Sequence, residues 1–300
     1  VTVIMSELSH QLANPSQRLR LDGLAEVWCM AKIAVRVPGC AGFAHDLHLL
    51  RRVRGGIGTV LLESASEAAV AGRPCPWTPP CALDVFFREQ GRFGAHGIPK
   101  PYVLATDRRG PDLVVTMTLF GIAVDWAAVM THALVGTLRF RIDWHALRDD
   151  IFVPRIALED ISVQHHQGLR PRPRREHAEV EFLTPMNAER DDPVGRPATL
   201  FARLARRIEG LALWHDVALD EDWRGLGVSW NDVEYDVRGL RTACARRRSG
   251  GTQTSFHVPT VSGTLWVHEV TSELWSLLAL GAETHVGKGA TEGFGRYALG

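Results

Sequence analysis

Five glycines fall within fifteen residues near the C-terminal end of the chain: Gly281, Gly287, Gly289, Gly293 and Gly295. Glycine admits positive φ and lets a ligand approach the main chain closely. Successive N–H groups in such a loop can form a concavity for an anion. Lys288 and Arg296 add charge, and His285 lies in the same run. A plain surface turn is the alternative reading. Two phosphate motifs are excluded. Ala290 follows Gly289, and Lys288 lies between glycines, so the GxxxxGK[ST] order is absent. A dinucleotide fingerprint opens a βαβ unit, whereas here the sequence given stops soon after the glycines.

Other residues with chemical potential are spread along the chain. His45 and His48 precede Arg51, Arg52 and Arg54. His165 and His166 precede an extended cationic run with Arg170, Arg172, Arg174 and Arg175, in which prolines exclude a regular helix. Arg246, Arg247 and Arg248 precede Ser249-Gly-Gly251. Each has an ordinary alternative: a packing histidine, a solvated interdomain linker, a charged loop. Formal charge is zero, with 34 basic and 34 acidic residues, but these clusters set local fields that suit a polyanion. Arginine far outnumbers lysine, which suits phosphate recognition and is equally the signature of a GC-rich genome. The five cysteines form no CxxC pair, and the Cys75/Cys81 spacing is not that of a zinc knuckle, so no metal site and a reducing, cytoplasmic setting are expected. Neither a signal peptide nor a membrane span is expected. Trp77, Trp214, Trp230 and Trp266 are expected in or half in the core.

The elements that must position these residues read as follows. Residues 1–24 read as a loosely ordered lead-in. Partial alternation predicts a strand over 25–37. Leu47, Leu50, Val53, Ile57, Val60 and Leu61 predict a helix, which Gly55-Gly56-x-Gly58 divides in two. Residues 72–101 read as a long Pro- and Gly-rich connection, functional or inserted. Strands at 102–105 and 113–120, a helix at 126–138 and a strand at 155–164 complete this part. A strand at 178–183 and a helix at 197–214 begin the next. That helix carries Leu200, Leu204, Ile208 and Leu211 on one face, with Arg203, Arg206 and Arg207 largely off it. Strands at 263–267 and 297–299 flank a short helix at 272–280. The series suggests an α+β protein of two similar halves, divided at 1–167 and 168–300.

The glycine loop in its setting resembles a known signature. An apolar helix, Glu273-Leu-Trp-Ser-Leu-Leu-Ala-Leu280, runs into Gly281, then His285-Val-Gly-Lys-Gly289, then Gly293-Phe-Gly-Arg-Tyr297. This resembles the C-terminal signature of the RAMP superfamily and, within it, the CRISPR-associated repeat-processing endoribonucleases, family six. Val180-Glu-Phe-Leu-Thr-Pro185, Arg51-Arg-Val-Arg-Gly-Gly-Ile-Gly58, Cys75-Pro-Trp, Pro101-Tyr-Val-Leu104 and Leu119-Phe-Gly121 resemble further parts of that family. The arginine content and the inexact catalytic motif fit a divergent subtype such as type IV.

The resemblance implies two tandem ferredoxin-like (RRM-like) halves with an inserted, partly helical region. It implies metal-independent cleavage of the repeat in CRISPR precursor RNA, no cofactor, retention of the mature guide RNA hairpin, and assembly with other effector-complex subunits. A non-catalytic RAMP subunit that binds and caps guide RNA is the alternative. Metal-free cleavage uses the ribose 2′-hydroxyl as nucleophile, held in line with the scissile phosphorus. It draws on a general base or acid and on cations for the phosphorane charge. The family's usual position for a catalytic histidine falls at His45 and His48, which with Arg52 would share one side of a helix. His165 and His166 are the weaker alternative. Arg51, Arg52, Arg54, Arg170, Arg172, Arg174, Arg175 and Arg246 to Arg248 are the expected phosphate contacts outside the loop. Within it they are His285, Gly287, Lys288, Gly289, Gly293, Gly295 and Arg296.

Overall fold

A computed structural model describes residues 6–144, 154–169, 173, 175–188, 193–248 and 255–300. The chain opens with α1 (Glu7–Ala13), β1 (Gln17–Leu19) and α2 (Leu21–Val27). Residues 6–24 of the lead-in are therefore ordered. Ser6 caps α1, Leu8, Leu12, Leu21 and Leu24 are buried, and β1 pairs in parallel with a strand two hundred residues on. The two helices have seven residues each and the strand three, too few for periodicity to show.

The first half is built from β2 (Cys29–Val37), α3 (Leu47–Leu62), α4 (Glu67–Val70), α5 (Ala82–Phe87), the hairpin β3 (Arg92–Phe93) and β4 (His96–Gly97), β5 (Tyr102–Arg109), β6 (Asp112–Phe120), α6 (Ala127–Phe140) and β7 (Ile161–Gln167). Its sheet order is β5-β6-β2-β7, every neighbour antiparallel. Leaving the inserted elements aside, this is the βαββαβ order of a ferredoxin-like unit. The alternating residues of β2 send Ile33, Val35 and Val37 into the core, to which α3 adds Leu50, Val53 and Ile57. Each such side chain, fully buried, contributes roughly 1.5–3 kcal/mol.

The helix α3 is continuous, contrary to the division expected at its glycines. The glycines serve packing: a Cβ on Gly56 would lie 2.5 Å from Thr137 Cγ2 of α6, and one on Gly58 3.0 Å from the Phe87 ring. They bring α5 and α6 against α3. The insertion at 72–101 also has structure of its own, α5 and a hairpin, which its Pro and Gly content concealed.

The second half contains β8 (Ala178–Asn187), α7 (Ala198–Ala212), β9 (Val217–Leu219), α8 (Trp223–Ser229), β10 (Tyr235–Asp236), β11 (Leu240–Arg248), β12 (Ser255–Val267), α9 (Ser272–Thr284) and β13 (Tyr297–Leu299). Its sheet order is β10-β12-β8-β13, with β11 also on β12. The order repeats that of the first half. The partner of β1 is β9. The strand expected at 263–267 is longer, because β12 begins at Ser255 and pairs with the full length of β11. A bulge at Val261/Gly263 bends β12, and there a Cβ on Gly263 would lie 2.1 Å from Gly239 O.

One core runs through both halves. At their junction Trp28 stacks on His215 with ring centroids 4.1 Å apart, and Trp214 Nε1 donates to Pro99 O. Trp214 and Trp230 are buried, whereas Trp266 and Trp77 are 40% and 50% exposed. The segment Gly121–Phe140 has the length and apolarity of a membrane span, which was not expected. Its Met130, Leu134 and Leu138 are wholly buried in the core.

Candidate RNA-binding site

The glycine loop joins α9 to β13 and is held by β8. Gly287, Gly289, Gly293 and Gly295 all have positive φ, and His285 enters the loop at φ 59. Val286 N–H donates to Gly295 O, and Gly295 N–H to Pro185 O. Thr184 Oγ1 donates to Gly293 O at 2.6 Å and accepts from Arg296 N–H. Thr184 and Pro185, read in the sequence as a separate resemblance, are thus the seat of the loop. N–H groups from 292 to 295 bond within the protein, and Gly287, Lys288 and Gly289 form a stretch of the loop that is not buried.

The far end of the loop packs on the first half. A single 3-10 turn, Ala290–Glu292, lies against α3 and β5. Arg51 Nε meets Glu292 Oε2 at 3.4 Å. Arg296 Nη1 donates to Asp107 Oδ1 at 2.8 Å and to Thr106 O. His45 N–H donates to Thr106 Oγ1 at 2.9 Å. His45 and Arg296 are thereby joined through two neighbouring residues of β5, Thr106 and Asp107, while Arg51 reaches the loop directly through Glu292.

His45 is not on the helix. It has φ 64 and precedes the N-cap, Asp46, whose carboxylate accepts His48 N–H at 2.7 Å. The expected single face of His45, His48 and Arg52 is replaced by a bend that presents His45 from the loop and His48 and Arg52 from the helix. All three are exposed. Arg54 is half-buried with its guanidinium 5.4 Å from the Phe87 ring centroid.

His285 lies beneath the loop, 3% exposed. Burial, with Arg296 and Arg207 nearby, holds its imidazole well below the usual histidine range, so it is neutral at pH 7. Gly293 and Gly295 are buried as well, while Lys288 is exposed. Arg175 is exposed on a separate groove with His177 and Trp266. Arg246, Arg247 and Arg248 end β11, and Arg170, Arg172 and Arg174 lie outside the described residues. His165 is exposed and His166 half-buried on the edge strand β7. Among the described residues no cluster of three or more His, Cys, Asp or Glu side chains is placed to hold a metal.

Sequence reasoning missed Thr106 and Asp107, because a polar residue on a strand carries no local signal of what it faces. It also missed His96, which with Arg203, Arg206 and Arg207 lines a cavity of about 650 Å³ beside Gly287 and Lys288. The available signal was the hairpin turn Phe93-Gly-Ala-His96, with Gly94 first in a two-residue loop.

Two βαββαβ halves of the same strand order, with a cationic glycine loop before the last strand, form the architecture implied for the RAMP superfamily. Residues 180–297 match the family of the CRISPR-associated endoribonuclease Cas6, so the resemblance read from the glycine loop holds there. Over the whole chain the fold is similar to that of a Thermus thermophilus Cas6 solved as a product complex, with a TM-score of 0.52, 16% identity, and 90% of this chain and 98% of that one covered. A second Cas6 product complex covers 91% of this chain and 99% of its own at 16% identity and a TM-score of 0.49. No curated protein matches the chain by sequence.

Proposed function

We propose that this protein is an endoribonuclease that cleaves the repeat of CRISPR precursor RNA. The observation that carries the reading is that Arg51 of α3 pairs with Glu292 of the glycine loop, in a segment that matches Cas6, while His45 bonds Thr106 of β5, the residue whose carbonyl also accepts from Arg296. Cleavage proceeds by attack of a ribose 2′-hydroxyl on the adjacent phosphorus, without a metal ion. One of His45 and His48 takes or gives the proton, and Arg51, Arg52 and Arg54 offset charge on the phosphorane. The open stretch around Gly287, Lys288 and Gly289 grips the strand.

The two halves, 1–167 and 168–300, act as one RNA platform. Arg170, Arg172, Arg174 and Arg175, with Arg246 to Arg248 on the β11–β12 hairpin, contact the stem of the repeat. The product hairpin stays bound and brings the protein into an effector complex. A relative of similar fold was solved as a product complex, which supports retention.

The test is incubation of the purified chain with repeat RNA from its own locus in EDTA. Cleavage leaving a 2′,3′-cyclic phosphate is expected. Intact RNA that is nonetheless tightly bound would replace the enzyme with a guide-capping subunit.

A further inference from the structure

The insertion between α3 and β5 carries two cysteines that the cleavage reading does not use, Cys75 and Cys81. With Ala69 they form a small apolar cluster apart from the main core, against which Ala65 and Leu83 pack. The residues between them, Pro76-Trp-Thr-Pro-Pro80, make a surface loop in which Pro76 to Pro79 are exposed. Cys75 and Cys81 keep 6% and 8% of their own surface exposed, so both thiols lie close beneath solvent.

Both ends of that loop are fixed. Cys75 N–H donates to Asp84 Oδ1 at 3.0 Å, and Asp84, wholly buried, is held in turn by Arg88 Nε at 2.5 Å. Pro80 O accepts from Trp126 Nε1 at 3.0 Å, and Cys81 is the N-cap of α5. Donors converge on Cys75 Sγ: the Ser66 hydroxyl at 3.2 Å and Cys81 N–H at 3.3 Å, joined by Trp77 N–H. Ser66 Oγ itself accepts Ala69 N–H at 3.2 Å, which leaves the hydroxyl proton for the sulfur. The Cys81 thiol is near enough to hydrogen-bond the same sulfur. A thiol accepts hydrogen bonds weakly, whereas bonds to an ionised acceptor are roughly twice as strong as neutral ones. Burial acts to raise the Cys75 thiol, but these bonds outweigh it and hold the thiol below its ordinary range. At Cys29, by contrast, burial and Asp125 push the thiol up.

We infer that Cys75 and Cys81 are a reactive dithiol, with Cys75 as nucleophile, Cys81 as the resolving thiol and a hydroperoxide as the oxidant. The Cys75 thiolate attacks the terminal oxygen of the hydroperoxide. The O–O bond breaks, the alkoxide leaves and takes a proton to become the alcohol, and Cys75 holds a sulfenic acid. Cys81 sulfur then attacks the sulfenic sulfur. The S–S bond forms, the S–OH bond breaks, and hydroxide leaves with the Cys81 proton as water. Two thiols and one hydroperoxide thus give one disulfide, one alcohol and one water, and the two electrons lost by sulfur reduce the peroxide bond. A small thiol returns the pair by exchange. A nucleophilic thiol with a resolving thiol at hand, both near solvent, is the arrangement this chemistry needs. Among the described residues no third His, Cys, Asp or Glu joins the pair to hold a metal.

The experiment treats the full, reduced chain with hydrogen peroxide at pH 7 and reads intact mass, free thiols in denaturant and the peptide map. Loss of two hydrogens, loss of two of the five thiols and a Cys75–Cys81 cross-linked peptide are expected, all reversed by a thiol reductant. Cys81→Ser is expected to stop at the sulfenic acid on Cys75, trapped with a 1,3-dione. Ser66→Ala removes one donor and is expected to slow alkylation of Cys75 by iodoacetamide severalfold at pH 7 and to move its pH midpoint upward, a shift that a packing role would not produce. Circular dichroism checks that each variant folds; where one does not, the wild-type peptide map decides alone. Oxidation confined to the exposed Cys244, or alkylation of Cys75 only after denaturation, would overturn the inference and leave two packing cysteines. None of these measurements uses RNA, so their outcome is independent of the function proposed above.

Discussion

A Cβ placed on Gly293 would lie 2.2 Å from Leu50 Cδ1. The glycine loop of the second half and the first long helix of the first half therefore meet with no space between them. The contact brings the loop into register with the arginines one and two positions further along α3, and with the histidines that precede them. It also explains a requirement that φ alone would not impose.

Gly293 and Gly295 make different demands, and alanine separates them. At Gly293, φ is 86 and the clashing atom is the end of a leucine side chain, which can shift. At Gly295, φ is 68 and a Cβ would lie 1.9 Å from Val286 O, a main-chain atom that cannot move without breaking the loop. Gly295→Ala is expected to cost on the order of 2–3 kcal/mol and Gly293→Ala about 1–2 kcal/mol. Urea unfolding midpoints measure both. Equal, wild-type midpoints would show that the loop is not packed as described.

His45→Ala and His48→Ala test the chemical assignment one residue at a time. General acid–base catalysis contributes about 10²–10⁴-fold, so at least one variant should lose that much in single-turnover cleavage. Full rate in both would transfer the catalysis to strand orientation and arginine electrostatics.

Arg296 and Asp107 form the ion pair that ties the end of the loop to β5. The Asp107 side chain is 42% exposed, so solvent screens the pair. A double-mutant cycle with Arg296→Met and Asp107→Ala should give a coupling of about 0.2–1 kcal/mol by denaturant unfolding. Arg296→Met alone should cost more, because Thr106 O loses a donor as well. A coupling near zero would show that the pair does not form in solution.

Acid should weaken the fold through His285. Its folded pKa lies well below the value near 6.5 of an unfolded histidine. Between these values the unfolded chain binds the proton and the folded one does not, so stability is present above about pH 6.5 and is lost as pH falls toward the folded value. The slope reaches up to about 1.4 kcal/mol per pH unit for this one group. Asparagine keeps a side-chain hydrogen-bond partner for the Ala290 main chain and does not titrate. The fall in Tm from pH 7.5 to pH 5.5 should therefore be smaller in His285→Asn than in wild type; an equal fall would assign the acid sensitivity elsewhere.

Elements with a strong period were legible in the chain itself. The apolar faces of α3, α6 and α7 and the alternation of β2 could be read because each buries a single face in a single core. The glycine loop was legible because positive φ and close approach both demand glycine, and because the order helix, glycines, Gly-Phe-Gly-Arg-Tyr repeats a family signature. The short α1, α2 and the β3–β4 hairpin were not, since elements of two to seven residues carry too few positions for a pattern. The glycines of α3 misled for a related reason: composition says that a side chain is absent and cannot say whether a turn or a neighbouring helix uses the space.

By itself, then, the sequence determined two α+β halves, a cationic glycine loop near its C-terminal end and a histidine–arginine stretch near the start. Only the tertiary structure decided that the loop's far end rests on that stretch, that His285 is buried under it, and that His96 faces the arginines of α7. The first and the last of these are contacts between residues one hundred or more positions apart. They follow from which strands pair and which glycines admit a neighbour, and no local period or spacing encodes that.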